Sequence, residues 1–243
     1  MKYEGSMMIY LGTSGWYYDD WKSSFYPEDI DKSEWLPYYA TKFDTVEVNA
    51  SFYRLPFKNM IKGWIKKTPD DFLLTFKGSQ LVTHKKKLRE VDEHLEKFFN
   101  RISIAEEKVG VILWQLPPSM KKNLTLLEDF LNKLSTDFRQ CVEFRHKSWF
   151  EEKTYELLRS YKTGFCIISA PELSSTIEVT SNFSYIRWHG LTDWYQYNYS
   201  KNELNGWATQ IKTMDVDDVF GYFNNDYHAF APKNCMVLKE FLK

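Results

Sequence analysis

Short apolar or alternating runs recur along this chain, and most lead into a helical stretch; no other feature constrains the fold as much. Runs at Met8–Leu11, Thr45–Asn49, Phe72–Phe76, Gly110–Leu116, Gln140–Phe144, Gly164–Ser169, Ser184–His189 and Asp218–Asn224 read as strands. Asp31…Glu34, Thr125…Glu128, Ser148…Glu151 and Ser200…Glu203 have the spacing of a capping box, in which two side chains satisfy orphan backbone donors at a helix start. Pro56 and Pro232 stand where a first-turn proline would open two further helices. The longest helical pattern runs from Lys86 to Glu107, with Leu88, Val91, Leu95, Phe98, Phe99 and Ile102 as its apolar stripe. After the sixth strand, "APELSSTIEVTSN" predicts an irregular or short crossover.

Eight strands alternating with about seven helices predict an α/β fold, a (β/α)8 TIM barrel. No linker or low-complexity tract divides the 243 residues, so 1–243 reads as a single domain with 1–7 as a loose N-terminal extension. The alternative, an open doubly wound sheet, would carry a glycine-rich phosphate turn after its first strand, and "GTSGWYY" is not one. A formal net charge of -1 argues against nucleic-acid binding by bulk charge and leaves room for a local basic cleft. Cys141, Cys166 and Cys235 lie far apart in apolar stretches, as reduced core thiols do. The start has no signal-peptide pattern, and no segment approaches the roughly 18 apolar residues of a membrane span, so a soluble, cytoplasmic protein is expected.

Side chains alternate faces along a strand, so the apolar positions mark the helix-facing side and the others point into the barrel. In "TVEVN" this turns Glu47 and Asn49 inward; in "CVEFR", Glu143 and Arg145; in "YIRWH", Arg187 and His189. Lys77, Gln115 and Asn225 are expected inward at the ends of their strands. These polar positions cluster at the carboxyl ends, where active sites of such barrels sit. The bland reading is an internal ion-pair network, for example Glu47 with Arg145 and Glu143 with Arg187. Glu47 and Glu143 against Lys77, Arg145 and Arg187 leave one surplus positive charge, which favours an anionic ligand such as phosphate or carboxylate.

Among the histidines, His189 closes a strand before Gly190 and His84 ends the loop after the third strand; both are candidate catalytic groups. Glu47, His84, Glu143, His189 and Asp226 are conceivable metal ligands, but no local ligand spacing supports a site, and no metal is assigned. The cofactor question stays open. Aromatic residues crowd the segments after strand ends: Trp16, Tyr17, Tyr18 and Trp21, then Phe52 and Tyr53, then Trp149, then Trp194, Tyr195, Tyr197 and Tyr199. Such rings either stack on a ligand or pack the loops down.

The motifs "GTSGW", "TVEVNASFYRLP", "FKGSQLVTH", "LWQLPPS", "VEFRHKSW", "YIRWHG…WYQYNYS" and "YFNND" occur in order over nearly the whole chain and resemble the domain of unknown function 72 family. The resemblance implies a TIM-like barrel, similar in outline to the sugar-isomerase and abasic-site endonuclease barrels, without fixing an activity. Leu191 and Gln80 stand where the family pattern has arginine, which weakens a phosphate-backbone reading.

Three functions compete. The first is a hydrolase acting on a phosphate-containing substrate, a nucleotide or nucleic acid. In it Glu47 or Glu143 serves as base, His189 or His84 as acid or electrophile, and Lys77, Arg145 and Arg187 hold the anion. Trp16, Tyr53, Asn49, Asn225 and Asp226 complete its expected binding residues. The second is a carbohydrate enzyme using the Glu47–Glu143 pair, which requires open space between the carboxyls. The third is a non-catalytic binding or scaffold protein.

Overall fold

The computed structural model describes residues 7–173 and 176–243, so of the expected N-terminal extension only Met7 falls within it. Its regular elements are, in chain order, β1 (Met8–Thr13), α1 (Trp35–Ala40), β2 (Thr45–Val48), α2 (Ala50–Tyr53), α3 (Lys58–Lys66), β3 (Leu73–Lys77), α4 (Asp92–Ile102) and β4 (Val109–Gln115). They continue with α5 (Leu124–Leu131), β5 (Arg139–Glu143), α6 (Glu152–Ser160), β6 (Gly164–Ser169), β7 (Phe183–Trp188), α7 (Lys201–Lys212), β8 (Asp218–Phe223) and α8 (Phe230–Leu242). The eight strands form one sheet in the order β1-β8-β7-β6-β5-β4-β3-β2, every pair parallel, closing almost completely into a barrel with helices around it. The expected TIM-barrel fold is what the chain adopts.

Closure between β1 and β2 is unusual. They share a bridge at Ser14 and Glu47, where Gly15 N–H donates to the Glu47 carbonyl at 2.8 Å. Below it, Tyr39 of α1 inserts its hydroxyl into the seam, accepting from Thr13 N–H at 2.7 Å and donating to the Thr45 carbonyl at 3.2 Å. A side-chain hydroxyl thus replaces a ladder bond that would otherwise be missing in a buried place. Gly12 allows the approach, since a Cβ there would lie 2.1 Å from the Thr45 carbonyl oxygen.

Two apolar regions follow from strand alternation. The outer one fills the space between strands and helices, with Val46, Val48, Ile112, Trp114, Val142, Phe144, Ile186 and Trp188 among its buried members. The inner one fills the lower barrel with Val111, Leu113, Cys141, Cys166, Ile168, Phe183, Tyr185, Phe220 and Tyr222. All three cysteines are buried and free. No helix among the described residues is long and apolar enough to cross a membrane.

Several local expectations change. The pattern from Lys86 becomes helical only at Asp92, because a wide turn over Leu81–Lys85 is followed by left-handed Lys87, Leu88 and Glu90. Leu88 and Val91 are buried from that turn instead of from the helix. Asn123, not Thr125, caps α5, accepting from Leu126 N–H at 3.0 Å. The Ser148 hydroxyl takes Lys122 N–H at 2.8 Å, so the expected box at Ser148…Glu151 does not form, whereas that of Ser200 and Glu203 does. Pro56 precedes α3 by two residues, and Pro232 lies inside the first turn of α8. Between β6 and β7 the described residues form no helix; Thr180 closes the gap, accepting from Phe165 N–H at 2.8 Å and donating to the Thr163 carbonyl at 2.6 Å.

Candidate functional site

At the carboxyl ends of the strands the inward side chains form a chain of alternating charge. Glu47 of β2 accepts from Arg187 of β7 at 2.6 Å, and Arg187 reaches Glu143 of β5 at 2.7 Å. Glu143 also accepts from Arg145 Nε, and Arg145 Nη2 donates to His189 Nε2 at 3.0 Å. Arg187 takes two further partners, the Ser14 hydroxyl at 3.0 Å and Asn224 Oδ1 at 2.7 Å. Tyr185 donates to Glu47 at 2.6 Å, the Ser14 hydroxyl donates to it as well, and Asn49 donates to Ser14 at 2.7 Å. Arg187 therefore pairs with both carboxylates, and the expected pair of Glu47 with Arg145 is not the one that forms.

The electrostatics follow from that chain. Burial alone would raise the Glu143 pKa, but the Arg145 and Arg187 guanidiniums more than reverse this and hold it well below the usual carboxylate range. Burial would lower the Arg187 pKa, and the two glutamates hold it well above its ordinary value instead. His189 goes the other way: burial, then Arg187 and Arg145, push its pKa well down, so its ring is neutral. Because an arginine N–H faces Nε2, the ring proton sits on Nδ1, a buried donor with no partner among the described residues. Both glutamates are thus saturated and locked, which removes the open carboxylate pair a sugar hydrolase requires.

Lys77, at the end of β3, differs from the other cations. Its Nζ lies 4.4 Å from the centre of the Phe52 ring and pairs with no carboxylate among the described residues. Burial, followed by Arg187, lowers its pKa to about 8. His84 shares the other contact of Phe52, the two ring centres lying 5.1 Å apart. Burial, then Lys77 and Arg145, lower the His84 pKa, leaving a neutral base at the mouth; its Nδ1 is 2.9 Å from the Thr83 hydroxyl.

Beside this cluster a cavity of about 510 Å³ opens over the ends of β4 to β7, lined by Gln115, Arg145, His146, Leu173, Trp194 and Tyr195 among others. The Arg145 guanidinium lies 4.7 Å from the Trp194 ring centre. Tyr195 is held in the left-handed region while its N–H donates to the His189 carbonyl at 2.8 Å.

Other expected residues lie elsewhere. Asn225 faces away from the barrel, donating to Asn234 Oδ1 at 2.8 Å and to the Tyr197 carbonyl at 2.7 Å. Inward Phe220 and Tyr222 fix the parity of β8, so Asn224 holds the position expected for Asn225. Trp16 is half-buried with its edge on Trp64 of α3, 5.6 Å between centres, not over the charged chain. Tyr53 is exposed, and Asp226 borders the mouth, where burial raises its pKa. Ser14, Tyr185 and Asn224 were not singled out from sequence; Tyr185 shares the alternation of Arg187 and carried a readable signal. Among the described residues no three His, Cys, Asp or Glu side chains converge as a metal-ligand group.

An eight-stranded parallel α/β barrel with a buried, charge-paired polar layer at its carboxyl mouth is the class that fold and site define. The family model described as "Protein of unknown function DUF72" matches residues 10–243, and the chain belongs to that family. It is 27% identical to the UPF0759 protein YunF of Bacillus subtilis (strain 168), over 97% of this chain and 95% of YunF. The crystal structure of a DUF72 family protein (TM1631) from Thermotoga maritima MSB8 superposes with a TM-score of 0.89 at 32% identity, covering 97% of this chain and 99% of that one. SacUVDE shares the fold alone, with a TM-score of 0.58 at 9% identity, covering 97% of this chain and 99% of that one.

Proposed function

We propose that the mouth of this barrel binds a phosphate-containing substrate, a nucleotide or nucleic acid, and hydrolyses its phosphate ester. The observation that carries this reading is Lys77, a desolvated cation that pairs with no carboxylate among the described residues, beside a network that is otherwise charge-balanced. A phosphoryl group supplies the missing negative charge. Arg145, whose Nη1 is claimed by no described residue, lies on the cavity side to take a second phosphoryl oxygen. The saturated glutamates make poor bases, so neutral His84 takes the proton of the attacking water as its oxygen bonds to phosphorus. The P–O ester bond breaks, and the Lys77 ammonium, its proton loosened by burial, supplies the proton the leaving oxygen needs. Buried free cysteines fit a reducing, cytoplasmic setting.

Calorimetric titration with inorganic phosphate and nucleotides, beside an assay for ester cleavage, tests this. Wild-type protein should bind and turn over, Lys77→Met should lose phosphate binding, and His84→Ala should bind without turnover. Wild-type protein that binds no phosphate sinks the reading.

A further inference from the structure

Two stretches without a single Asp or Glu leave the ends of neighbouring strands β2 and β3. Tyr53 to Pro69 carries Arg54, Lys58, Lys62, Lys66 and Lys67; Lys77 to Arg89 carries Lys77, Lys85, Lys86, Lys87 and Arg89. In a chain of net charge -1 these segments are rich in cations, and Arg54 and Lys85 are the ones they bring to the groove beside the mouth. The two segments face each other across a groove of about 290 Å³ lined by Tyr53, Arg54, Ser79, Lys85, His94 and Lys97, with no carboxylate in its lining among the described residues. Arg54 and Lys85 form no ion pair with a described residue, and Lys97 meets Glu93 only at 3.5 Å on the open surface. An exposed aromatic ring lines it, Tyr53 at 72% exposure, and the Arg54 guanidinium lies 4.6 Å from the ring centre of Phe57, which is 56% exposed. Phe52 connects groove and site, touching Tyr53 at 5.1 Å between ring centres while Lys77 stands over its ring at 4.4 Å.

We infer that this groove is a track for single-stranded nucleic acid leading into the mouth, so that the substrate of the proposed phosphate chemistry, on which this inference rests, is a strand and not a free nucleotide. Cations at Arg54, Lys85 and Lys97 follow a backbone of phosphates. The open face of Tyr53 takes an unpaired base, and stacking tolerates any sequence because every base has a π-face. The backbone continues past Phe52 and brings a following phosphate to Lys77.

Fluorescence anisotropy with a labelled oligothymidylate of about 12 nucleotides tests the track, with the corresponding duplex and polyglutamate as competitors. The single strand should compete better than either. Arg54→Gln/Lys85→Gln/Lys97→Gln should weaken binding at least about tenfold and flatten the slope of log K against log salt by about 2. Tyr53→Ala should weaken it at least about fivefold. Calorimetry with inorganic phosphate runs in parallel: the triple variant keeps phosphate binding, which also shows that it is folded, and Lys77→Met loses it. Unchanged oligonucleotide affinity in the triple variant, a silent Tyr53→Ala, or equal competition by duplex or polyglutamate overturns the track while leaving the phosphate site standing. Wild-type protein that ignores phosphate but holds the strand at the groove overturns the phosphate site and leaves the track.

Discussion

Arg187 and Glu143 meet at 2.7 Å inside the barrel, with neither side chain more than 1% exposed. The same guanidinium holds Glu47, so a single cation neutralises part of two carboxylates that no water reaches. Arg187→Met would leave both glutamates buried with fewer partners, and breaking such a pair costs about 3–5 kcal/mol. Thermal unfolding should show a loss of roughly 6–20 °C for a chain of this size. A variant that melts within about 2 °C of wild type would mean that the network contributes little to stability.

The acid limb of stability should trace to Glu143. Its folded pKa lies below the ordinary 4.5, held there by Arg145 and Arg187 against burial, so the folded state binds the proton more weakly than the unfolded one. The stabilisation is complete above about pH 4.5 and declines as pH falls further. Urea titrations from pH 6 to about 3 should therefore show a steeper loss for wild type than for Glu143→Gln, which starts less stable and changes less. Parallel pH profiles for the two proteins would remove Glu143 from that role.

The seam between β1 and β2 predicts its own pair of effects. Tyr39→Phe removes the acceptor of the Thr13 N–H, leaving a buried donor unpaired at a cost of about 1–3 kcal/mol. Gly12→Ala puts a methyl group against the Thr45 carbonyl and must push the strands apart. Amide exchange at Thr13 should accelerate in both variants, and more in Gly12→Ala. Unchanged exchange would show that closure does not depend on this contact.

How far the sequence revealed this site depends on the range of the interaction. Period-two alternation placed Glu47, Glu143, Arg145, Arg187 and His189 inside the barrel, because each follows apolar neighbours that must face the helices. The same rule failed at Asn225, because β8 is apolar on both faces, Val219 and Phe223 outward against Phe220 and Tyr222 inward, so alternation could not single out Asn224. Pairing was less legible: Arg187 and Glu47 are 140 positions apart, and only barrel closure decides that they meet. The loop aromatics were least legible. Trp16 and Trp194 follow strands equally well, yet one packs on Trp64 and the other on Arg145, a difference set by loop paths that no periodicity encodes.

Lys77 should show opposite pH responses in stability and binding. Its folded pKa is about 8 against an ordinary 10.5, so below pH 8 folding must bury a charged group that prefers water. That cost fades as pH rises from 8 towards 10.5, because there the folded state releases the proton before the unfolded state does. Lys77→Met, free of the charge, should thus be the more stable protein at pH 7, by about 3 kcal/mol at most, and lose this advantage in alkali. Phosphate affinity moves the other way in wild type, falling above pH 8 as the ammonium disappears. Differential scanning calorimetry and phosphate titration at pH 7 and at pH 9.5 read both quantities on the same samples. A variant that gains stability while losing the ligand marks a charge kept for binding; one that loses both assigns Lys77 to the framework of the barrel.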